Sequence, residues 1–240
     1  DKTPLWLELL YKNDCFKNPP EPEYDTEKQL TYYTLWPASR YLAHIASKKI
    51  VRPDIILQII TDIPKTKNTR IHVDIVDCAI QLPPKLSLKA IKENVEEWLE
   101  LPFNYSLPEK LASLINHLAQ GHEIDESLWL TKVLFTVKPD FRHSNRSKGK
   151  FRLPPEPKAR FDSWHYSDEL NKLIPNLVNY CGTKALTCLC DLLESAIAIS
   201  SSNRRSKDAE DYSYVWCSTI NDSDKHEREI KNILLLAISK

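Results

Sequence analysis

A triplet made of a polar residue, a branched apolar residue and proline recurs at fixed spacing in this chain. It appears as Asp62-Ile63-Pro64, Gln81-Leu82-Pro83 and Glu100-Leu101-Pro102, with starts 19 residues apart. Proline lacks a backbone donor and pushes the residue before it out of helical geometry, so each triplet reads as a stop followed by a turn. Between stops the apolar residues follow a helical period. Ile71, Ile75, Cys78, Ala79 and Leu82 fall on one stripe, with His72, Asp74, Asp77 and Gln81 mostly elsewhere. Leu88, Ile91, Val95, Trp98 and Leu99 form the next stripe, with lysines and glutamates opposite, and predict a helix over 86–101. Ser106-Leu107-Pro108-Glu109 matches a capping box opening a helix over 107–120, and Gly121 is expected as its left-handed stop. Another helix is predicted from 124 to 137, before Pro139. Taken alone, Ile55–Ile60 also suits a buried strand. Arg52-Pro53-Asp54 reads as a helix start, and the period agrees, so 53–63 is predicted helical.

Helices of this length joined by short turns must pack on their neighbours. Two 19-residue units make a hairpin within the period range of HEAT and armadillo repeats. The predicted pairs are 37–47 with 53–63, 69–82 with 86–101, 107–120 with 124–137, and 167–180 with 183–200. Gly182 separates the last two, and a final helix runs from about 224 to the end. The expected fold is all-α: a right-handed α-α superhelix of antiparallel hairpins, forming a single domain over 1–240. A non-repetitive helical bundle would require the spacing to be accidental.

Two stretches carry a resemblance. Residues 36–63, WPASRYLAHIASKKIVRPDIILQIITDI, and residues 69–101, TRIHVDIVDCAIQLPPKLSLKAIKENVEEWLEL, resemble HEAT-like repeats of bacterial multidomain proteins. FRLPPEPKARFDSWHY and DYSYVW also look like segments of proteins in that class. The resemblance implies an α-α superhelix used for binding. It carries over no catalytic residue.

Two long connections interrupt the repeat, at about 139–166 and 201–223, where long loops are usually functional or disordered. Equivalent positions in a solenoid share an edge, so the two insertions are expected side by side, and 14–35 is a candidate third. Against a whole chain with 33 basic and 33 acidic residues, the span 138–160 holds eight cations and two acids. Its Arg142, Arg146, Lys148, Lys150 and Arg152 are candidates for contact with an acidic partner or nucleic-acid phosphate. The plainer account is a solvated loop. Trp164 in the first insertion and Tyr212, Tyr214 and Trp216 in the second are candidate partner contacts, against the alternative that they pack on the helices.

Chemical motifs are sparse. Three glycines, Gly121, Gly149 and Gly182, cannot build a P-loop or a dinucleotide-binding turn. The six cysteines form no CxxC pair and no quartet with histidine at zinc spacing, so reduced thiols in a cytoplasmic protein are expected. His117 and His122 are five apart across a predicted helix end, which does not make a ready metal pair. No catalytic residue, cofactor or metal is predicted. No apolar run reaches the roughly 18–20 residues of a membrane span.

The expected function is a protein-interaction scaffold or sensor module that holds a protein or peptide. The alternatives are a nucleic-acid-binding solenoid using 138–160 and a HEAT-like DNA-repair glycosylase. The chain contains no Met and begins at Asp1. Its last helix carries an apolar stripe of Ile230, Ile233, Leu234, Ala237 and Ile238. Neighbouring domains in a longer chain, or a dimer through that helix, are therefore expected.

Overall fold

The computed structural model describes residues 3–28, 30–48, 51–101, 106–136, 138–140, 156–158 and 163–192. The chain divides into two compact units, Asp1–Glu126 and Ser127–Lys240. Both are predominantly helical where described.

In the first unit, α1 (Thr3–Lys12) precedes a short antiparallel ribbon of β1 (Glu23–Asp25) and β2 (Leu30–Tyr32). Then follow α2 (Pro37–Ser47), α3 (Pro53–Asp62), α4 (Thr69–Gln81), α5 (Pro84–Ser87), a 3-10 turn (Leu88–Ala90), α6 (Val95–Leu99) and α7 (Leu107–Gln120). Helix α8 (Ile124–Phe135) crosses the boundary between the units.

The proline triplets act as the spacing predicts. α3 ends at Asp62, α4 at Gln81 and α6 at Leu99. Ile63 and Leu82, each before a proline, are extended, with ψ of 123° and 157°. Proline also opens helices: it stands in the first turn of α2, α3, α5 and α7, where its missing donor costs nothing. Residues 55–60 are helical, so the strand alternative is excluded.

Helix α4 lies between α2 and α7 and packs on both. These are the first helices of the three predicted hairpins. Helix α3 packs on α2 and α4, and the 3-10 turn packs on α3. The stripes read from the sequence form this core. Ile71, Ile75, Cys78, Ala79, Leu82, Leu88, Ile91, Val95, Trp98, Leu99, Leu107, Leu111, Leu114, Ile115 and Leu118 are all buried.

Three local expectations are corrected. Residues 86–101 do not form one helix. Ser87 Oγ turns back to the carbonyls of Leu82 and Pro83, both at 3.1 Å, and Ile91 leaves helical geometry at φ −127°. Hydroxyl back-bonding of this kind competes with the regular helical ladder. The break still lets Leu88, Ile91, Val95 and Trp98 all face the core.

The capping box at Ser106 is absent. Ser106 has φ −102° and ψ −5° rather than the extended cap conformation, and its side chain caps no amide. One oxygen of Glu109 is instead buried without a hydrogen-bond partner among the described residues.

Gly121 is not the left-handed residue either, with φ −82°. His122 is, at φ 62°. The Glu123 amide donates to the Leu118 carbonyl at 3.0 Å, and the His122 amide to that of Ala119 at 3.1 Å. That is a Schellman ending shifted one residue on. Gly121 is needed for a different reason: a Cβ there would collide with the Pro84 ring. The glycine lets α5 lie against α7.

In the second unit, β3 (Lys138–Asp140) pairs antiparallel with β4 (Glu156–Lys158), so the predicted loop 139–166 contains a β-ribbon. Helix α9 (Ser163–Cys181) starts before the predicted 167, with Pro175 inside it. Gly182 then adopts φ 57°, and residues 183–192 are helical. Leu128, Leu130, Leu134, Phe135, Leu173, Leu177, Cys181, Ala185, Cys188 and Leu192 are buried in this unit. The predicted 193–200 end of that helix, the 201–223 connection and the final helix lie outside the described residues. Among the described residues, no helix is long and apolar enough to cross a membrane.

Trp98 is 6% exposed and stacks on the His72 ring, centroids 4.4 Å apart. Trp98→Ala should therefore destabilise the chain by roughly 3–5 kcal/mol, as large-to-small core changes do. Urea unfolding would measure it, and a loss below about 1 kcal/mol would contradict this core.

Candidate interaction surface

The segment between α1 and α2 is held to the helices by one buried amide. Asn68 is fully buried and caps α4, its Oδ1 accepting from the Arg70 amide at 3.2 Å. Its Nδ2 donates to the Pro20 carbonyl at 3.1 Å and to the Thr34 carbonyl at 2.8 Å. Thr66 Oγ1 also donates to Pro20 and accepts from the Asn68 amide. The Lys67 amide donates to Glu21 Oε2 at 3.0 Å. Pro20 and Thr34 flank the ribbon on either side, so Asn68 clamps both ends of its stem. Phe16 and Trp36 add an apolar clamp, meeting edge to face with centroids 6.4 Å apart.

Beyond that stem the ribbon is open. Glu23 stands opposite Tyr32, Tyr24 opposite Thr31, and Asp25 opposite Leu30. Asp25 Oδ1 accepts from the Glu27 and Lys28 amides, both at 3.0 Å, which shapes the connecting turn. Strand alternation puts Glu23, Asp25, Leu30 and Tyr32 on one face and Tyr24 and Thr31 on the other. Tyr24 is 61% exposed, Leu30 52% and Tyr32 45%. Leu35, and Trp6 and Leu9 on α1, are also exposed. Every exposed large hydrophobic side chain among the described residues thus lies between positions 6 and 35. On α1 the opposite side is anchored: Leu7 is fully buried, and the Tyr11 hydroxyl donates to Asp62 on α3.

Two polar contacts join neighbouring helices of the body. Ser39 Oγ on α2 donates to Asp74 Oδ2 on α4 at 2.6 Å, and Lys110 Nζ on α7 meets Asp77 Oδ1 at 2.7 Å. Burial raises the Asp74 carboxyl pKa despite the Ser39 bond. Ser39 is 1% exposed, so its hydroxyl is not an accessible nucleophile. Burial holds Cys78, Cys181 and Cys188 as thiols, with the Cys188 pKa pushed up to about 11. Cys15 and Cys190 are exposed. No group of three or more metal-ligating side chains is assembled among the described residues.

Arg142, Arg146, Lys148, Lys150, Arg152, Tyr212, Tyr214 and Trp216 lie outside the described residues. Trp164 is in α9 by its backbone, and its side chain is likewise outside them. Helix α1 and the N-terminal ribbon were not foreseen. The signal for the ribbon was present: two short alternating runs, Glu23-Tyr24-Asp25 and Leu30-Thr31-Tyr32, on either side of a polar turn. No protein-family model, curated protein or solved structure matches this chain.

Beneath the stem lies His72, 1% exposed. Its Nε2–H donates to the Thr66 carbonyl at 2.9 Å, and Nδ1 is buried without a hydrogen-bond partner among the described residues. Desolvation lowers its pKa from 6.5 to about 4, against a smaller opposing pull from the Thr66 bond and from Glu21 and Glu97. The unfolded chain takes up this proton first. The stabilisation is therefore intact above about pH 6.5 and is lost as the pH falls from there toward about 4. The loss attributable to His72 should total about 3 kcal/mol. Stability measured from pH 7 to 4 should decline less in His72→Gln, whose amide can still donate to Thr66. Equal slopes in the two proteins would contradict a buried neutral imidazole.

Proposed function

We propose that this chain is a HEAT-like helical scaffold, without catalytic activity of its own, that binds a protein or peptide partner through its N-terminal surface. The observation carrying this proposal is that, among the described residues, the exposed large hydrophobics are confined to residues 6–35, beside helices of the first unit whose apolar stripes are buried. Contiguous exposed apolar side chains are a mark of partner binding, and Leu30 and Tyr32 share one face of the ribbon. Tyr and Trp are favoured partner anchors, and Tyr24, Tyr32 and Trp6 are half exposed or more than two-fifths so. The solenoid part of the proposal is supported by the packing of α4 between α2 and α7, the first helices of successive sequence units.

The test is photocrosslinking in cells from a reactive group at position 30, with the captured proteins identified by mass spectrometry. Tyr24→Ser with Tyr32→Ser should leave stability within about 0.5 kcal/mol, since both side chains are at the surface. The same pair should abolish a specific crosslink. An unchanged crosslink pattern in the double variant would overturn the assignment of the surface.

A second reading, nucleic-acid binding, is favoured by one observation. The ribbon register sets Lys138 opposite Lys158, and the connection between β3 and β4 contains Arg142, Arg146, Lys148, Lys150 and Arg152. A two-stranded ribbon is of a size that enters a DNA major groove. Under this reading, duplex binding at low salt should weaken steeply as salt rises and vanish when Arg142, Arg146, Lys148 and Lys150 are neutralised together. A mobility-shift titration without binding at micromolar protein would remove it.

A further inference from the structure

We infer that the outer edge of β1 is a strand-addition site for an extended peptide that alternates basic and apolar side chains. The inference rests on the protein-binding function proposed above and adds the chemistry of the partner. It stands on the open backbone of the ribbon and on the side chains that edge presents.

The ribbon has two strands, so each uses one edge for its neighbour. Residues 23–25 make no backbone hydrogen bond outside that pairing among the described residues. An unpaired strand edge is a row of donors and acceptors that another extended chain can complete. The stem is fixed by Asn68 and Thr66, so the edge is presented by an anchored element.

Side-chain chemistry then selects the partner. Along β1 the sequence is Glu23-Tyr24-Asp25, an acid, an aromatic and an acid on alternating faces. An added strand would set its own residues beside these, and opposite charges across strands are favourable while like charges repel. Its complement is basic, apolar, basic. Asp25 is committed to the turn: Oδ1 takes two amides, and Oδ2 lies 3.6 Å from Lys28 Nζ. Glu23 is exposed and has no such task, so it is the principal charge determinant. Tyr24, on the other face, offers its ring to an apolar side chain or to a cation. Acids at an edge also blunt pairing between identical edges. That effect is compatible with a basic partner and opposes a second copy of the same strand.

The test is fluorescence anisotropy on the full chain with a labelled octapeptide alternating lysine and valine. A glutamate–valine octapeptide is the charge control, and a lysine–valine peptide N-methylated at alternate backbone positions is the edge control. The lysine peptide should bind, and the other two should bind at least about tenfold more weakly. Glu23→Lys should weaken lysine-peptide binding by about tenfold while circular dichroism of the helical body stays unchanged. Raising salt should weaken it further, as expected for exposed charges. Equal binding of the methylated and unmethylated peptides would overturn strand addition. Equal binding by the wild type and Glu23→Lys would overturn the charge assignment. Self-association through the ribbon, with no peptide binding, would make a second copy the occupant and overturn the inference. Loss of the cellular crosslink in the Tyr24/Tyr32 variant, together with no octapeptide binding, would retain the protein-binding function and reject this edge as its means.

Discussion

The first unit depends on how the two ends of α4 are satisfied. A helix leaves amides unpaired at its start and carbonyls unpaired at its end, and burial makes each one costly. Helix α4 is flanked on two sides by other helices, so its ends cannot simply turn to water. At the start, Asn68 accepts from the Arg70 amide and uses its two donor hydrogens on Pro20 and Thr34. At the end, the Leu82 carbonyl accepts from His117 Nε2–H at 2.8 Å and from Ser87 Oγ at 3.1 Å. Each cap is therefore also a tether. One end fixes the N-terminal ribbon, and the other fixes α5 and α7.

This arrangement separates two jobs within one unit. The helices bury their apolar stripes against one another, and Ser39 on α2 is spent on Asp74 of α4. The N-terminal segment contributes Leu7, Phe16 and Trp36 to burial but leaves Trp6, Leu9, Tyr24, Leu30, Tyr32 and Leu35 exposed. The ribbon is thus anchored at its stem and exposed beyond it.

Much of the helical body was legible in the sequence, because its signals are local. Proline before or within a first turn acts on its own neighbours, so the ends of α3 and α4 follow from Pro64 and Pro83. The 3.6 period likewise identified the buried stripes, including Trp98 across the broken stretch. What was misread depends on distant residues or on competing local bonds. Gly121 has the composition of a helix stop, but its lack of a side chain is required by Pro84, and His122 takes the left-handed position. Ser106 and Glu109 have capping-box spacing, yet Ser106 has the wrong backbone geometry and Glu109 has a buried oxygen. The N-terminal ribbon was hardest to read. Its strands are three residues long, too short for a strong alternation signal, and the tie through Asn68 spans 48 residues to Pro20. The basic candidates of 142–152 and the alternating Tyr212, Tyr214 and Trp216 lie outside the described residues.

The central claim is that α4 is the stabilising axis of the first unit and that the ribbon lies outside its closed core. Native-state hydrogen exchange read by mass spectrometry tests it most directly. Amides of residues 72–81, held in the helical ladder, should exchange only through global opening and rank among the slowest in the unit. Those of residues 23–32 should exchange much faster, through local opening of a two-stranded ribbon with open edges. Equal protection of the two segments, or faster exchange in α4 than in the ribbon, would contradict this account.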